Sequence, residues 1–179
     1  MCALKKKDVE NIFVNSNSTD ELFDAFRAAI ENKIKDVALY KSLLWNKALS
    51  PDEISMYAEK VCKELPDCCF KIYYAVGQIL ESISVYGIYH ERAMNFFKKA
   101  AKAEPDSHEP YVAIAKMYNF ELDCPSLKNV LKTLEQGIET VHLKSKVCFA
   151  LSSIYKKTGD KENEKLYQSK GEKYQRELQ

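Results

Sequence analysis

The chain has 179 residues, a formal net charge of +1 and 46% hydrophobic residues, with aromatics at 11%. That length suits one domain or one continuous repeat array, and the apolar content supports a real core rather than global disorder. A charge so near neutral removes the electrostatic case for a nucleic-acid or anionic-membrane partner, and no stretch approaches a transmembrane span.

Residues 1–17 are polar and weakly patterned, and they read as a loosely ordered lead-in with Ile12, Phe13 and Val14 able to pack down. The first strong helix start is Ser18-Thr19-Asp20-Glu21, with capping-box spacing from Ser18 to Glu21. Leu22, Phe23, Phe26, Ala29 and Ile30 follow at helical period, giving an extra helix near 19–33. A second helix covers roughly 36–49. Ser50-Pro51-Asp52-Glu53 then opens a third: Ser50 caps, Pro51 fits the first helical position and Glu53 closes a capping box. Pro66 ends that helix. The fourth carries Phe70, Tyr73, Val76, Gly77, Leu80 and Ile83, with Gly87 marking its end. The fifth carries Ala93, Phe96, Phe97, Ala100 and Ala101, and is followed by Pro105. A sixth begins after Ser107 and reaches about Leu122. Pro125 sits near the start of a seventh, with Leu127, Val130, Leu131, Leu134 and Ile138 on its apolar stripe. Val147, Cys148, Leu151, Ile154 and Tyr155 define the eighth. Thr158-Gly159-Asp160 forms a turn, and a largely charged ninth helix runs from Lys161 to about Glu177. Period-two alternation never persists, so the fold class is all-α with about nine helices.

The first helices share anchors. Tyr73, Val76, Gly77 and Leu80 align with Tyr111, Ile114, Ala115 and Tyr118, and these with Cys148, Leu151, Ser152 and Tyr155, at steps of 38 and 37 residues. Each set holds a tiny residue where ridge-into-groove packing needs helices to approach. The second helices repeat as Ala93, Phe97, Ala100 and Pro105, and as Val130, Leu134 and Gly137, with His142 in the place of the Pro. From about Asp67 to Glu172 this pattern resembles the tetratricopeptide repeat family, whose period is about 34 residues. The resemblance implies stacked antiparallel hairpins in a right-handed superhelix. The hairpins would lie near 36–66, 67–105, 106–142 and 143–178 of a single domain spanning 18–179. In the last pair Glu164 and Gln168 replace small and aromatic residues, which fits a terminal helix with a polar outer face.

Chemistry-bearing residues are scattered. His90, His108 and His142 fall near helix ends or loops, where surface or capping roles fit them. Among Cys2, Cys62, Cys68, Cys69, Cys124 and Cys148 there is no CxxC pair and no zinc-ligand spacing with His. No glycine-rich phosphate loop occurs. The sequence therefore predicts no enzyme, no cofactor and no metal. The N-terminal MCALKKKDVENIF lacks the apolar run of a signal peptide, so the expectation is a cytoplasmic chain with reduced thiols. Lysine bursts at Lys5–Lys7, Lys98-Lys99 with Lys102, and Lys156-Lys157 read as solvated faces.

In stacked hairpins the first helices line the inner surface, so residues just off the packing stripe face a partner. These are Tyr74, Gln78 and Glu81; Val112, Lys116 and Asn119; and Phe149, Ser153 and Lys156, each trio spaced i, i+4, i+7. A protein-interaction scaffold that holds a peptide or helix on this face is the expected function. The alternative is a helical-repeat regulatory or RNA-binding protein. Tyr74, Gln78, Val112 and Ala113 stand where some relatives of the family place a Lys/Asn/Arg clamp for acidic chaperone tails, so that partner class is rejected. End helices of such a stack are also able to pair, which would give a homodimer.

Overall fold

The computed structural model describes residues 5–178, so Cys2 lies outside the described residues. Among the described residues the chain is all-α, with ten α-helices and no β-strand; one isolated bridge joins Asn119 and Cys124. The chain divides into two compact units, Met1–Ile79 and Leu80–Gln179, where the sequence reads as one continuous array.

The first unit holds α1 (Lys6–Asn15), α2 (Thr19–Glu31), α3 (Val37–Leu44), α4 (Pro51–Glu64) and, after a 3-10 turn at Pro66–Cys68, most of α5 (Cys69–Ser82). Helix α1 is the one helix beyond the nine expected, and it takes up Lys6–Asn15 of the stretch expected to be a loose lead-in. It buries Val9 and Phe13 and packs on α2 and α3. Its end is held from a distance: the Asn46 side-chain amide donates to the Phe13 and Ser16 carbonyls at 2.9 and 3.0 Å. Those are the orphan carbonyls that any helix C-terminus must satisfy. Lys6 also pairs with Asp36, and this holds the Asp36 carboxyl below the usual range.

Caps set the other starts. Ser50 accepts from the Glu53 N–H while Glu53 accepts from the Ser50 N–H, a complete capping box with Pro51 in the first turn. At α2 the box is relayed. Ser18 accepts from the Glu21 N–H, but the Glu21 carboxylate takes the Ser16 hydroxyl, and Ser16 in turn accepts from the Ser18 N–H. Helix α3 stops at Leu44, short of the expected 49, because Asn46 turns the chain and accepts from the Ala48 N–H at 2.8 Å. The core centres on Phe26, which meets Tyr40 and Tyr57 edge-on at 6.3 and 4.6 Å between centroids. Tyr40 is fully buried, and its hydroxyl has no hydrogen-bond partner among the described residues.

The second unit takes in the end of α5, a 3-10 turn at Val85–Gly87, and α6 (His90–Ala103), α7 (Glu109–Met117), α8 (Leu127–Thr140), α9 (Lys144–Thr158) and α10 (Lys161–Arg176). Helix α7 packs on α6, α8 and α9, and α9 packs on α8 and α10. Two close approaches fix the sequential pairs. A Cβ placed on Gly137 of α8 would lie 2.6 Å from the Tyr111 ring of α7, and one on Gly171 of α10 would lie 2.6 Å from the Phe149 ring of α9. The Ser152 hydroxyl donates to the Glu164 carbonyl at 3.0 Å, a further tie between α9 and α10. Gly159 closes α9 in the left-handed conformation, φ 79°, and Asp160 caps α10 through the Asn163 N–H.

Two expected boundaries shift. Helix α5 ends at Ser82 rather than at Gly87, which instead closes the 3-10 turn with φ +78°. Helix α7 stops at Met117 rather than near Leu122. Beyond it residues 119–124 close on themselves: the Asn119 N–H donates to the Cys124 carbonyl at 2.9 Å, and the Asn119 side chain accepts from the Leu122 N–H. The Cys124–Pro125 peptide is cis, and the Cys124 thiol donates to the Gly87 carbonyl at 3.3 Å.

Candidate functional site

The nine residues predicted to face a partner are placed as follows. In the first unit the Tyr74 ring stacks on Phe70, one turn earlier on α5, at 6.0 Å and 19°, while Gln78 is exposed. In the second unit Glu81 lies within electrostatic reach of Lys116. Burial pushes the half-buried Glu81 carboxyl up, and the charges of His90 and Lys116 pull it back down. Val112 is half-buried one turn before the exposed Lys116. Asn119 is not on the helix at all; its side chain is spent inside the loop that ends α7. The Phe149 ring lies against Gly171, so its face serves the α9–α10 contact. Ser153 and Lys156 are exposed on α9. Much of this set is therefore occupied by contacts within its own unit.

The structure brings other residues together. In the first unit α2 and α4 enclose a cleft of 430 Å³ lined by Phe23, Phe26, Arg27, Ile30, Glu31, Met56, Tyr57 and Lys60. Its floor is apolar. Phe26 and Tyr57 are buried, yet Phe23 keeps 49% and Met56 52% of its surface exposed. Phe23, Phe26 and Ile30 recur at helical spacing along one wall, and Met56, Tyr57 and Lys60 form the other. Charges of both signs sit at the rim: Arg27 pairs with Asp24 and Lys60 with Glu64. Large apolar side chains left uncovered in a concave place mark binding surfaces more often than a lone exposed residue does.

In the second unit a trough of 680 Å³ runs between α6 and α8, lined by Asn95, Lys98, Lys99, Ala101, Lys102, Pro105, Tyr111, Thr133, Gln136 and Thr140. Three ammonium groups line it, with no Asp or Glu among the described lining residues. The Tyr111 ring that presses on Gly137 forms part of its floor. The sequence signal was available: Asn95, Lys98, Lys99 and Lys102 share one face of α6 at i, i+3, i+4 and i+7. Only the fold shows that polar groups of α8 stand opposite.

The histidines take end positions. The His90 ring Nδ1 lies 3.3 Å from the Cys124 carbonyl at the start of α6, His108 precedes α7, and the His142 N–H donates to the Asp106 carbonyl. Cys62 and Cys69 each place the thiol toward the other's carbonyl, at 4.0 and 3.3 Å. Burial raises the thiols of Cys62, Cys68, Cys124 and Cys148. Among the described residues no group of three or more His, Cys, Asp or Glu gathers as a metal site, and no helix is long and apolar enough to cross a membrane. In comparisons with protein-family models, with curated proteins and with solved structures, the chain matches none.

Proposed function

We propose that the chain is a non-catalytic protein-interaction scaffold, built of hairpins stacked in the manner of tetratricopeptide repeats, that seats an amphipathic helix of a partner in the α2–α4 cleft. The repeat reading is supported by ring-on-glycine packing in two successive helix pairs, Tyr111 on Gly137 and Phe149 on Gly171, Phe149 standing one residue beyond Cys148, which aligns with Tyr111. Gly137 stands at the tiny position of its second helix, and Gly171 stands three residues after Gln168 as Gly137 stands three after Leu134.

The observation that carries the binding reading is the half-exposed Phe23 and Met56 above a buried aromatic floor. Two helices flank the trough, so a third helix laid between them would bury its apolar stripe, as in helix-in-groove recognition. Charges of both signs at the rim suit a helix whose polar flanks are also mixed. Methionine at such a wall adapts its shape to the side chain that enters.

A displayed library of helical peptides, selected on the full chain, tests this. Enriched peptides should carry apolar residues at i, i+3 or i+4 and i+7. They should lose affinity about ten-fold or more to Phe23→Asp and to Met56→Asp, each removing a hot-spot contact, while helicity and melting stay unchanged. Selected peptides that bind both variants as well as the parent would show that the cleft is not the site.

A further inference from the structure

We infer that the α6–α8 trough of the second unit is a docking groove for an extended acidic segment of a partner protein. It is a second surface, built from other residues and of other chemistry than the α2–α4 cleft.

The groove carries charge of one sign: Lys98, Lys99 and Lys102 line it, with no Asp or Glu among its described lining residues. The chain as a whole is balanced, with 27 Lys and Arg against 26 Asp and Glu. Elsewhere Lys6, Lys35 and Lys60 are paired with Asp36, Asp67 and Glu64. In the groove Lys98 and Lys102 have no ion pair among the described residues, while Lys99 lies over the Phe96 ring at 5.0 Å. Concentrated like charge raises the potential of a concave site and costs self-repulsion that an anionic occupant removes.

Spacing selects an extended chain. Lys98 and Lys102 stand one turn apart, about 6 Å along the helix axis. Alternate residues of an extended strand repeat at about 6.6 Å. Two carboxylates separated by one residue therefore meet the two ammonium groups in register. The opposite wall offers Gln136 and Thr140 of α8, and Asn95 adds an amide from α6. Such amides donate to and accept from the main chain of a bound strand, which exposes one donor and one acceptor per residue. The Tyr111 ring and Pro105 supply an apolar floor for the residue between the acids.

Fluorescence anisotropy on the full chain, with a fluorescein-labelled Glu-Val-Glu-Val-Glu peptide as probe, tests the assignment. Saturable binding should weaken with salt. Lys98→Glu with Lys102→Glu should lower affinity about ten-fold or more, with the thermal melt unchanged. The milder Lys98→Gln with Lys102→Gln should act in the same direction. The matched reversal Lys161→Glu with Lys165→Glu, exposed one turn apart on α10 and outside the groove, should change affinity by less than about two-fold. Equal losses from the two reversals would reduce the effect to general charge and overturn the groove. Absence of binding by the parent chain would also overturn it. A short labelled oligouridine that binds more tightly through the same lysines would reassign the trough to single-stranded nucleic acid.

Discussion

The close approach of Tyr111 to Gly137 gives a prediction whose sign depends on the packing. Glycine inside a helix costs about 1 kcal/mol relative to alanine, so Gly137→Ala would stabilise α8 by that amount on an open surface. Here the new methyl would lie 2.6, 2.7 and 2.9 Å from three ring carbons of Tyr111. Forcing such overlap in packed surroundings costs about 1–3 kcal/mol. The net effect in the parent chain is therefore from about neutral to roughly 2 kcal/mol destabilising. In a Tyr111→Ala background the ring is gone, and the same substitution should stabilise by up to about 1 kcal/mol. The coupling between the two sites is then about 1–3 kcal/mol, well above the scatter of independent sites. Thermal and urea unfolding of the four chains of this cycle measures it; each kcal/mol moves Tm by about 2–4 °C at this size. Gly159→Ala is the control. Nothing stands within 4 Å of that Cβ, but φ is +79°, so its cost is backbone strain of about 1–2 kcal/mol and is indifferent to Tyr111. If Gly137→Ala raised Tm equally in both backgrounds, the ring would not sit on the glycine and the packing argued for α7 and α8 would fall.

Two further outcomes follow from buried polar groups. Tyr40→Phe removes a fully buried hydroxyl with no partner among the described residues, and burial already pushes its pKa up to about 12. It should stabilise the first unit by about 1–3 kcal/mol, the cost of an unsatisfied polar group, and a lower Tm would reveal a hidden bond. Glu81→Gln tests electrostatics in the second unit. Burial holds the Glu81 carboxyl above its ordinary value, so the native state favours the proton and is penalised once pH exceeds the unfolded carboxylate range near 4.3. The variant should therefore be more stable than the parent at neutral pH, with the gap closing as pH falls through that range. A less stable variant at pH 7 would mean that attraction from Lys116 and His90 outweighs desolvation.

The helix starts were legible because their determinants are local. Ser50 and Glu53 are three residues apart, and the left-handed Gly159 with its cap Asp160 sits in three consecutive residues. Helix α1 was not legible, because what holds its end is Asn46, whose amide reaches the carbonyl of Phe13 across a separation of 33 residues. The end of α7 failed for a related reason. Apolar spacing continues through Tyr118 to Leu122, but the Asn119–Cys124 pairing and the thiol bond from Cys124 to Gly87, 37 residues away, hold the chain in a loop. Asn119 consequently left the candidate surface.

The candidate sites show the same limit. Periodicity tells which residues share a face of one helix, not what stands across from that face. It placed Phe149 on a partner-facing surface, because nothing in the period shows that Gly171 opens room for its ring on α10. It read Lys98, Lys99 and Lys102 as a solvated face, since lysines on one helix are ordinarily that. The burst acquires a different meaning only when Tyr111, Gln136 and Thr140 arrive opposite it from α7 and α8. Likewise Phe23 reads as part of the apolar stripe of its helix and Met56 carries no signal of its own, and the structure leaves both half uncovered in the α2–α4 cleft. A lone helix must hide such side chains. Two of them left open above an aromatic floor cost about 25 cal/mol per Å² of exposed apolar surface, and the burial of that surface is what the proposed partner helix would gain.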